Sequence, residues 1–448
     1  MSGDPRERFR VIGAVGATGI IVASMVGSGI FSLTGKFGAE VATPANLLAA
    51  WVVGGVLALC GGLSLAELGA MIPCSGGSIE FARRAFGGLV GYLVAMVTIL
   101  SGYLLAIGVV ALFLAEFVDA LFASDLSDHA IAAAVIVAAF ASQLPGLRAG
   151  YAFNTALSIL KIGFVAAFAV AGLLVAPALP RLEAPAEGGA PDPGLFSPAV
   201  AGATLSVSFA YLGWSTGADV AGDIRRPGRT VPIAIVGAIA IVFVLYMGVN
   251  LAYLRAIDPL AMTEPDGRPM KAIGSVAARI LFGDAVGRAM TAVIAVLLFS
   301  TIVSGMITAA RILESMALAG EIPAWAGVRR ENGVPLRGLA ITLVASLATL
   351  AIGSLGEILD MLNVLVAVFS SLSVAAVLVL RRTMPGAPRP FRVPLYPVTP
   401  LVYLALAAWS VVVGAISGGV RAIVASAIAV AVLLALRPLL VRRRTHAA

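Results

Sequence analysis

A Gly-Ser-Gly triplet at residues 27–29 interrupts an apolar run near the start of the chain and could bind a ligand. No charged side chain occurs between Arg10 and Lys36, so the run is long enough to cross a bilayer, which takes about 20 residues. A continuous helix gains nothing from this triplet at mid-depth. A helix interrupted there begins its second half inside the membrane, where free N–H groups and the positive end of the helix dipole favour a carboxylate.

Two isolated charges within apolar stretches are the next candidates for chemistry. Lys161 is one of only three lysines and lies about ten residues into an apolar run, in a position where an ammonium costs about 2.5 to 3.5 kcal/mol. It therefore needs a function or a route to water, and snorkelling to the membrane edge is the structural alternative. Asp219 is either a proton site or a contact for a cationic substrate, but its position near the end of its span favours a structural or gating role.

The composition explains why these residues must be positioned by membrane helices. The chain has 448 residues, of which 60% are hydrophobic and 12% charged, and its mean hydropathy is +1.03. Such a chain cannot cover a water-soluble surface. The net charge of +7 comes from arginines in short hydrophilic breaks, so it indicates topology and not nucleic-acid binding. Cys60 and Cys74 predict neither a disulfide framework nor a metal site, and no cofactor is expected.

Charge-free intervals predict an all-α polytopic membrane protein with twelve spans in a single transmembrane domain, residues 11–440. The spans are predicted at 12–35, 45–72, 87–115, 130–146, 152–176, 197–222, 231–254, 287–314, 338–354, 359–380, 398–417 and 420–439. Arginines occupy the breaks on one side and acidic or mixed charges the other, which makes the arginine side cytoplasmic. We therefore expect a protein of the cytoplasmic (inner) membrane with cytoplasmic tails at 1–10 and 441–448, and with Glu67 and Glu80 in a cytoplasmic-face network.

A second glycine-broken run supports a repeated architecture. Gly202-Ala203-Thr204 precedes Gly213 at the same interval at which Gly16-Ala17-Thr18 precedes Gly27, although chance could produce so short a match in a chain with 49 glycines. The two breaks fall in spans one and six, which cross in opposite directions if spans alternate. We expect inverted repeats at about 11–176 and 197–380, followed by two extra helices at about 398–440.

Several segments, in order along nearly the whole chain, resemble the amino acid, polyamine and organocation (APC) transporter superfamily. Single motifs are weak, but their order is specific. They are Gly27-Ser28-Gly29-Ile30-Phe31, Glu67-Leu68-Gly69, Pro73-Cys74-Ser75-Gly76-Gly77, Phe209-Ala210-Tyr211-Leu212-Gly213-Trp214, Asp223-Ile224-Arg225-Arg226-Pro227, Met316-Ala317-Leu318-Ala319-Gly320-Glu321-Ile322-Pro323 and Arg389-Pro390-Phe391-Arg392-Val393-Pro394. The resemblance implies a five-plus-five inverted repeat and alternating access for a small substrate held between spans one and six.

The resemblance also implies roles for particular residues. Backbone groups at Gly27, Ser28, Gly29 and Ile30 would bind the substrate carboxylate, although small residues also serve helix packing. The remaining expected site residues are the carbonyls of Met25, Ala210 and Leu212 for the ammonium, Phe209 as an aromatic gate, Ser215 near the substrate, and Tyr211 and Trp214 as secondary or packing residues. Lys161 would occupy the space of a sodium ion, with the carbonyls of residues 23–26 or the hydroxyls of Ser300, Thr301 or Ser304 as partners.

Transport of a neutral L-amino acid is the leading interpretation, by exchange or proton coupling and without sodium. Many family members carry Asn at the position of Ala218, and some exchangers of cationic substrates carry Glu where this chain has Ser215. A polyamine or cationic amino acid is therefore the main rival, disfavoured because a second positive charge needs a carboxylate. A channel or membrane-embedded enzyme is disfavoured because the spans show no polar pore lining and no catalytic cluster. Expected partners are the amino acid or amine, protons and lipid; the sequence does not fix the oligomeric state.

Overall fold

The computed structural model describes residues 12–74, 76–122, 125–144, 147–175, 192–264, 266–328, 334–418 and 420–440. These residues are almost entirely helical, and within them the only extended pairings are two isolated bridges. The all-α prediction is confirmed. Both predicted tails lie outside the described residues, as does most of the predicted outer break between spans five and six.

Every predicted span coincides with a helix or a broken helix. In chain order they are α1 and α2 (Ala14–Met25, Gly29–Val41), α3 (Pro44–Met71), α5 with α6 (Gly88–Ile99, Ala106–Phe122), α7 (Asp128–Ser142), α8 (Leu147–Val175), α9 with α10 (Pro198–Ala210, Thr216–Asp219), α11 (Pro227–Ala256), α13 (Asp284–Ala319), α14 (Leu336–Thr349), α15 (Leu355–Thr383), α16 (Val398–Gly418) and α17 (Arg421–Leu440). Six described helices are long and apolar enough to cross a membrane alone, and α1 with α2, bent by 42° at their break, make a seventh candidate.

The sequence did not predict three features of the structure in detail: two short helices outside the twelve spans and one irregular turn inside a span. Helix α4 (Gly77–Phe86) follows span two, and α12 (Ile273–Phe282) lies in the long outer break where the sequence allowed a short helix. Span three contains a π-helical turn, Leu100–Leu105, between α5 and α6. Helix α4 escaped prediction because its two arginines and one glutamate make it polar, so it carries no apolar run.

The first compact unit comprises Met1–Val94, Ile162–Ile273 and Ala367–Gly419. Its centre is α3, which packs against α9, α11 and α16. Helix α3 begins where the Thr43 side chain accepts a hydrogen bond from the Asn46 N–H and Pro44 fixes the first turn. Trp51 of α3 makes edge contacts with Tyr211 and Tyr246, with ring centroids 6.0 and 5.4 Å away. These aromatic contacts fix α3 against the end of α9 and the middle of α11.

The second compact unit comprises Ala95–Lys161, Gly274–Val366 and Val420–Ala448. Within it α13 packs against α6, α7 and α14. Small residues allow the close approach: a side chain at Gly338 would lie 2.8 Å from the Ala310 carbonyl oxygen. Gln143, at the end of α7, donates from its side-chain amide to the Val303 carbonyl of α13 over 3.0 Å. Backbone packing and a buried polar bond therefore both position α13.

Candidate binding site at two helix breaks

The breaks in spans one and six lie directly against each other in the first unit. A side-chain carbon at Gly29 would be 2.6 Å from Cβ of Ala210, and one at Gly213 would be 2.7 Å from the Ser24 carbonyl oxygen. Helix α1 contacts α10, and α2 contacts α9. The first half of each span therefore meets the second half of the other, so the two spans cross in opposite directions as predicted. Gly213 has φ of +111°, a conformation that favours glycine.

The break in span one leaves backbone donors at the start of α2. Helix α1 ends at Met25, Val26 is extended, and α2 begins at Gly29 with Ser28 at its N-cap. The Phe31 N–H already bonds the Ser28 carbonyl over 3.0 Å. The first N–H groups of any helix have no partner within it, which applies to Gly29 and Ile30. The buried Ser28 hydroxyl also has no hydrogen-bond partner among the described residues. These donors converge at one helix end, where an anionic group would satisfy them.

Gly27 and Gly29 serve different purposes, although the sequence makes them look equivalent. A side-chain carbon at Gly27 would approach nothing closer than the Met25 carbonyl oxygen at 3.9 Å. At Gly29 it would overlap Ala210, so helix packing alone requires glycine there. Added bulk at Gly29 would therefore force α2 away from α9 and would not only obstruct a ligand. Gly27 is the position at which a side chain has room.

Tyr246 of α11 joins the two breaks, and the sequence analysis missed it. Its hydroxyl lies 2.9 Å from the Met25 carbonyl and 3.0 Å from the Ala210 carbonyl, two of the three carbonyls assigned to the ammonium. The Gly27 backbone also bonds this hydroxyl. A tyrosine hydroxyl carries one proton and can donate to only one carbonyl at a time. The third assigned carbonyl, that of Leu212, lies in the turn that follows α9.

The same face of α11 holds α2 in place further along. The Tyr253 hydroxyl donates to the Ile30 carbonyl over 3.1 Å, and Asn250 accepts from the Thr34 hydroxyl over 2.5 Å. Tyr246, Asn250 and Tyr253 are spaced by four and three residues, which puts them on one side of a helix. This polar stripe in an otherwise apolar span was visible in the sequence and could have indicated a contact face. Its partners could not be identified, because they are backbone carbonyls and one hydroxyl on a distant segment.

The aromatic residues of span six differ in their surroundings. Tyr211 is buried and packs on Tyr246, with ring centroids 5.2 Å apart, and Trp214 packs edge-on against Tyr403 of α16 at 6.0 Å. Both therefore fit the packing role that the sequence analysis left open for them. Phe209 is 9% exposed and lies one residue before the end of α9, directly beside the break. Its role as a gate stays a prediction.

Ser215 and Asp219 lie just beyond the break. Ser215 is the residue before α10, and its side chain hydrogen-bonds the Asp219 carboxylate. Asp219 also accepts from the backbone N–H and the hydroxyl of Ser78. The carboxylate is thus held by several donors, as the structural alternative requires. A gating role is not tested by these contacts.

Lys161 belongs to the second unit and lies at the midpoint of α8, Leu147–Val175. Its side chain is 6% exposed, so it does not snorkel to a surface. Its Nζ lies 3.4 Å from the Thr301 hydroxyl oxygen, one of the predicted partners. That hydroxyl donates its own proton to the Leu297 carbonyl over 3.0 Å, so its oxygen is free to accept from the ammonium. The carbonyls of residues 23–26 remain predicted partners.

No group of three His, Cys, Asp or Glu side chains that could hold a metal ion occurs among the described residues. The two cysteines are unpaired.

Comparison with known proteins identifies the architecture to which this site belongs. The family model described as "Amino acid permease" matches residues 12–436. The serine/threonine exchanger SteT of Bacillus subtilis (strain 168) is 26% identical over 88% of this chain and 88% of its own. The large neutral amino acids transporter small subunit 2 of Mus musculus is 28% identical over 88% of this chain and 74% of its own. A methylthioribose transporter of B. subtilis is 26% identical over 89% of this chain and 87% of its own.

Proposed function

Because the chain belongs to the amino acid permease family and is therefore a multi-pass membrane transporter of amino acids and not an enzyme, we propose that it carries a neutral L-amino acid without sodium. The carrier works by alternating access and moves its substrate by exchange or with protons. The observation that carries this proposal is the pair of opposed helix breaks, which brings unbonded N–H groups and the buried Ser28 hydroxyl together with the Met25 and Ala210 carbonyls.

The carboxylate of the substrate binds the N–H groups of Ser28, Gly29 and Ile30 at the start of α2. The backbone of Gly27, the fourth position expected from the sequence, is bonded to the Tyr246 hydroxyl instead. Hydrogen bonds to a charged acceptor are worth about 1.5–3 kcal/mol each, so two or three of them can hold a substrate at this depth. Unwound backbone is tolerated there only where it lines a cavity or is buried in protein. The substrate ammonium then competes with the Tyr246 hydroxyl for the Met25 and Ala210 carbonyls. A Phe209 ring over the substrate excludes water and faces the ammonium.

A neutral side chain is favoured over a cationic one by the acids near the break. Ser215 stands where exchangers of cationic substrates can carry a carboxylate, and the nearest acid in span six, Asp219, is already bonded by Ser78 and Ser215. A second positive charge in the site would have no free carboxylate among these residues and would carry a high desolvation cost.

Lys161 supplies the positive charge that makes sodium unnecessary. It is buried at the middle of α8, and its Nζ lies 3.4 Å from the Thr301 hydroxyl oxygen. A fixed lysine charge and a sodium ion would repel each other within one pocket, so one excludes the other. If Lys161 keeps its proton throughout the cycle it acts as a clamp, whereas if it loses the proton in one conformation it couples transport to pH.

The experiment is a thermal-shift screen of the purified protein, followed by uptake into liposomes. The screen contains the L-amino acids, putrescine, spermidine and methylthioribose. Stabilisation by neutral L-amino acids, with saturable uptake that persists when choline replaces sodium, is the expected result. Stabilisation by the amines alone would replace the neutral substrate with the cationic rival, and an absolute sodium requirement would refute the role of Lys161. Lys161→Ala should reduce uptake strongly, whereas the control His129→Ala, at an exposed position in the first turn of α7, should not.

Both termini face the cytoplasm in this proposal, and the membrane is the inner one. The support is the distribution of arginines between alternate breaks. Single cysteines at Glu187 and Thr445, which lie outside the described residues, should label from opposite sides in a cysteine-free background. Labelling of both positions from outside the cell would refute this topology.

A further inference from the structure

The Asp219 carboxylate caps a helix that lies 141 residues earlier in the sequence. Its Oδ1 accepts from the Ser78 backbone N–H over 2.9 Å and from the Ser78 hydroxyl over 2.7 Å, at the first turn of α4. A carboxylate at a helix N-terminus satisfies unbonded N–H groups and complements the helix dipole. An N-cap usually comes from the chain directly before its helix. Here the residue before α4 is Gly76, which provides no side chain for this bond.

Backbone bonds reinforce the same contact. The Gly76 N–H donates to the Asp219 carbonyl over 2.8 Å, and the Gly222 N–H donates to the Cys74 carbonyl over 3.3 Å. A side-chain carbon at Gly77 would overlap the Ala218 carbonyl oxygen, so the two segments touch along their backbones. We call this set of contacts, from Cys74 and Gly76–Ser78 to residues 218–222, the Asp219 clasp. It attaches the chain after α3 to the second half of span six.

The clasp also reaches the candidate substrate site. The Ser215 side chain hydrogen-bonds Asp219 from one turn earlier, and Ser215 lies at the sixth-span break. A hydroxyl that donates to Asp219 still has lone pairs for a substrate ammonium or hydroxyl. The path from the substrate to the start of α4 therefore runs through Ser215, the Asp219 carboxylate and Ser78, with a hydrogen bond at each protein step.

We propose that Asp219 is a positioning residue that couples Ser215 to the start of α4, so that α10 and the segment of Cys74 and Gly76–Ser78 move as one piece during transport. This inference rests on the proposed function for its link to the substrate. The clasp itself does not depend on that function. Helix α10 has only four residues and cannot hold its own orientation, since short helices are unstable without tertiary support. The carboxylate supplies that support from the side that faces the N-terminus of α4.

Cys74 provides a reporter within the clasp. It is one of two cysteines, and Cys60→Ser leaves it as the single thiol. Burial, with a contribution from the carboxylates of Glu80 and Asp219, raises the pKa of the Cys74 thiol to about 11. Little thiolate is therefore present near pH 8, and N-ethylmaleimide reacts slowly while the clasp is closed. Cys74 is half-buried in the closed clasp, and opening the clasp exposes the thiol further and moves Asp219 away, so both changes increase the rate.

The experiment measures Cys74 alkylation by mass spectrometry in the Cys60→Ser protein, alone and with L-serine or L-leucine. Asp219→Ala should accelerate alkylation about tenfold or more, because two bonds to a charged acceptor are lost. Asp219→Asn keeps an oxygen acceptor and should remain within about threefold of the parent. The matched control Asp223→Ala removes the carboxylate one turn further along and should leave the rate unchanged. Ser78→Ala retains the backbone bond and should give an intermediate rate.

Transport kinetics separate coupling from simple support of the fold. Asp219→Ala should still be stabilised by the amino acid that stabilises the parent, but its maximal uptake should fall at least about tenfold, and Asp219→Asn should restore most of it. An unchanged alkylation rate in Asp219→Ala would overturn the proposal. So would a loss of maximal uptake in Asp219→Asn and in Asp223→Ala equal to that in Asp219→Ala. If neither amino acid binds the parent, the proposed function fails, while the alkylation rates still decide whether the clasp exists. If Asp219→Ala does not fold, Ser78→Ala decides by the same measurement.

Discussion

Replacing Gly27 and Gly29 separately by alanine distinguishes a binding site from helix packing. Both glycines flank Ser28, and the sequence offers no reason to treat them differently. At Gly29 the new carbon would be 2.6 Å from Cβ of Ala210, which is 0.8 Å inside the 3.4 Å limit of an ordinary contact. Helices α2 and α9 would have to separate by about that distance. Overpacking of this kind costs about 1–3 kcal/mol of folding free energy.

At Gly27 the nearest atom is the Met25 carbonyl oxygen at 3.9 Å, which is an ordinary contact. Gly27 does not have a positive φ, so alanine fits its backbone conformation. The free energy of unfolding should stay unchanged or rise by about 0.4–1 kcal/mol, because alanine restricts the unfolded chain. A methyl group beside the N–H groups of the break should cost one bond to the carboxylate, about 1.5–3 kcal/mol. That loss raises Kd by about 10- to 150-fold.

The assay pairs the apparent Tm in detergent with amino acid binding by calorimetry, using L-serine and L-leucine on each variant. We expect Gly27→Ala to keep its Tm and lose affinity, and Gly29→Ala to lose Tm. Normal affinity in Gly27→Ala would refute the proposed carboxylate site. A parallel loss of Tm and affinity in both variants would show that the triplet serves packing alone. The parent protein, measured in the same detergent with and without each ligand, controls for effects of the detergent.

Substitutions at three further residues test other contacts. Two nitrogens of Arg381 bind the buried Glu67 carboxylate at 2.8 and 2.5 Å. Glu67→Ala removes this partner and should lower the free energy of unfolding by about 3–5 kcal/mol, measured by thermal unfolding, and Glu67→Gln should lower it less. Tyr246→Phe should lower stability by about 1–3 kcal/mol and alter the affinity for substrate, and an unchanged Tm would refute its bridging role. The pKa of Asp192 lies below its ordinary value because the Gly194 N–H, and then an asparagine amide, donate to it. Its contribution is therefore present above about pH 4 and is lost as the pH falls through the lowered pKa, so the Tm difference between parent and Asp192→Ala should shrink in strong acid.

The sequence predicted the positions of the helices well, because a long charge-free apolar run in a bilayer must satisfy its backbone groups within itself, as a helix does. It also located both breaks, since Gly27 and Gly213 disrupt runs that are otherwise continuous. The role of Tyr246 was not predicted, because the sequence does not distinguish a tyrosine that fills space in an apolar span from one that donates to a backbone carbonyl. The Asp219 clasp escaped for a related reason: its partner, Ser78, is an ordinary small residue at the start of a polar helix that has no apolar pattern. Contacts between distant backbone segments leave no local signal in the sequence.

The Tyr246 hydroxyl has one proton but lies within hydrogen-bond distance of a carbonyl at each of the two breaks, so two alternative hydrogen bonds are possible. While the site is empty the proton can choose the Met25 or the Ala210 carbonyl, and the other carbonyl is left without it. A substrate ammonium that takes one carbonyl removes this freedom and directs the proton to the other. An ammonium bound to the carbonyl at one break thereby determines that the Tyr246 hydroxyl donates to the carbonyl at the other break. If the substrate binds as proposed, the empty carrier has an exchanging bond between spans one and six and the loaded carrier has a defined one.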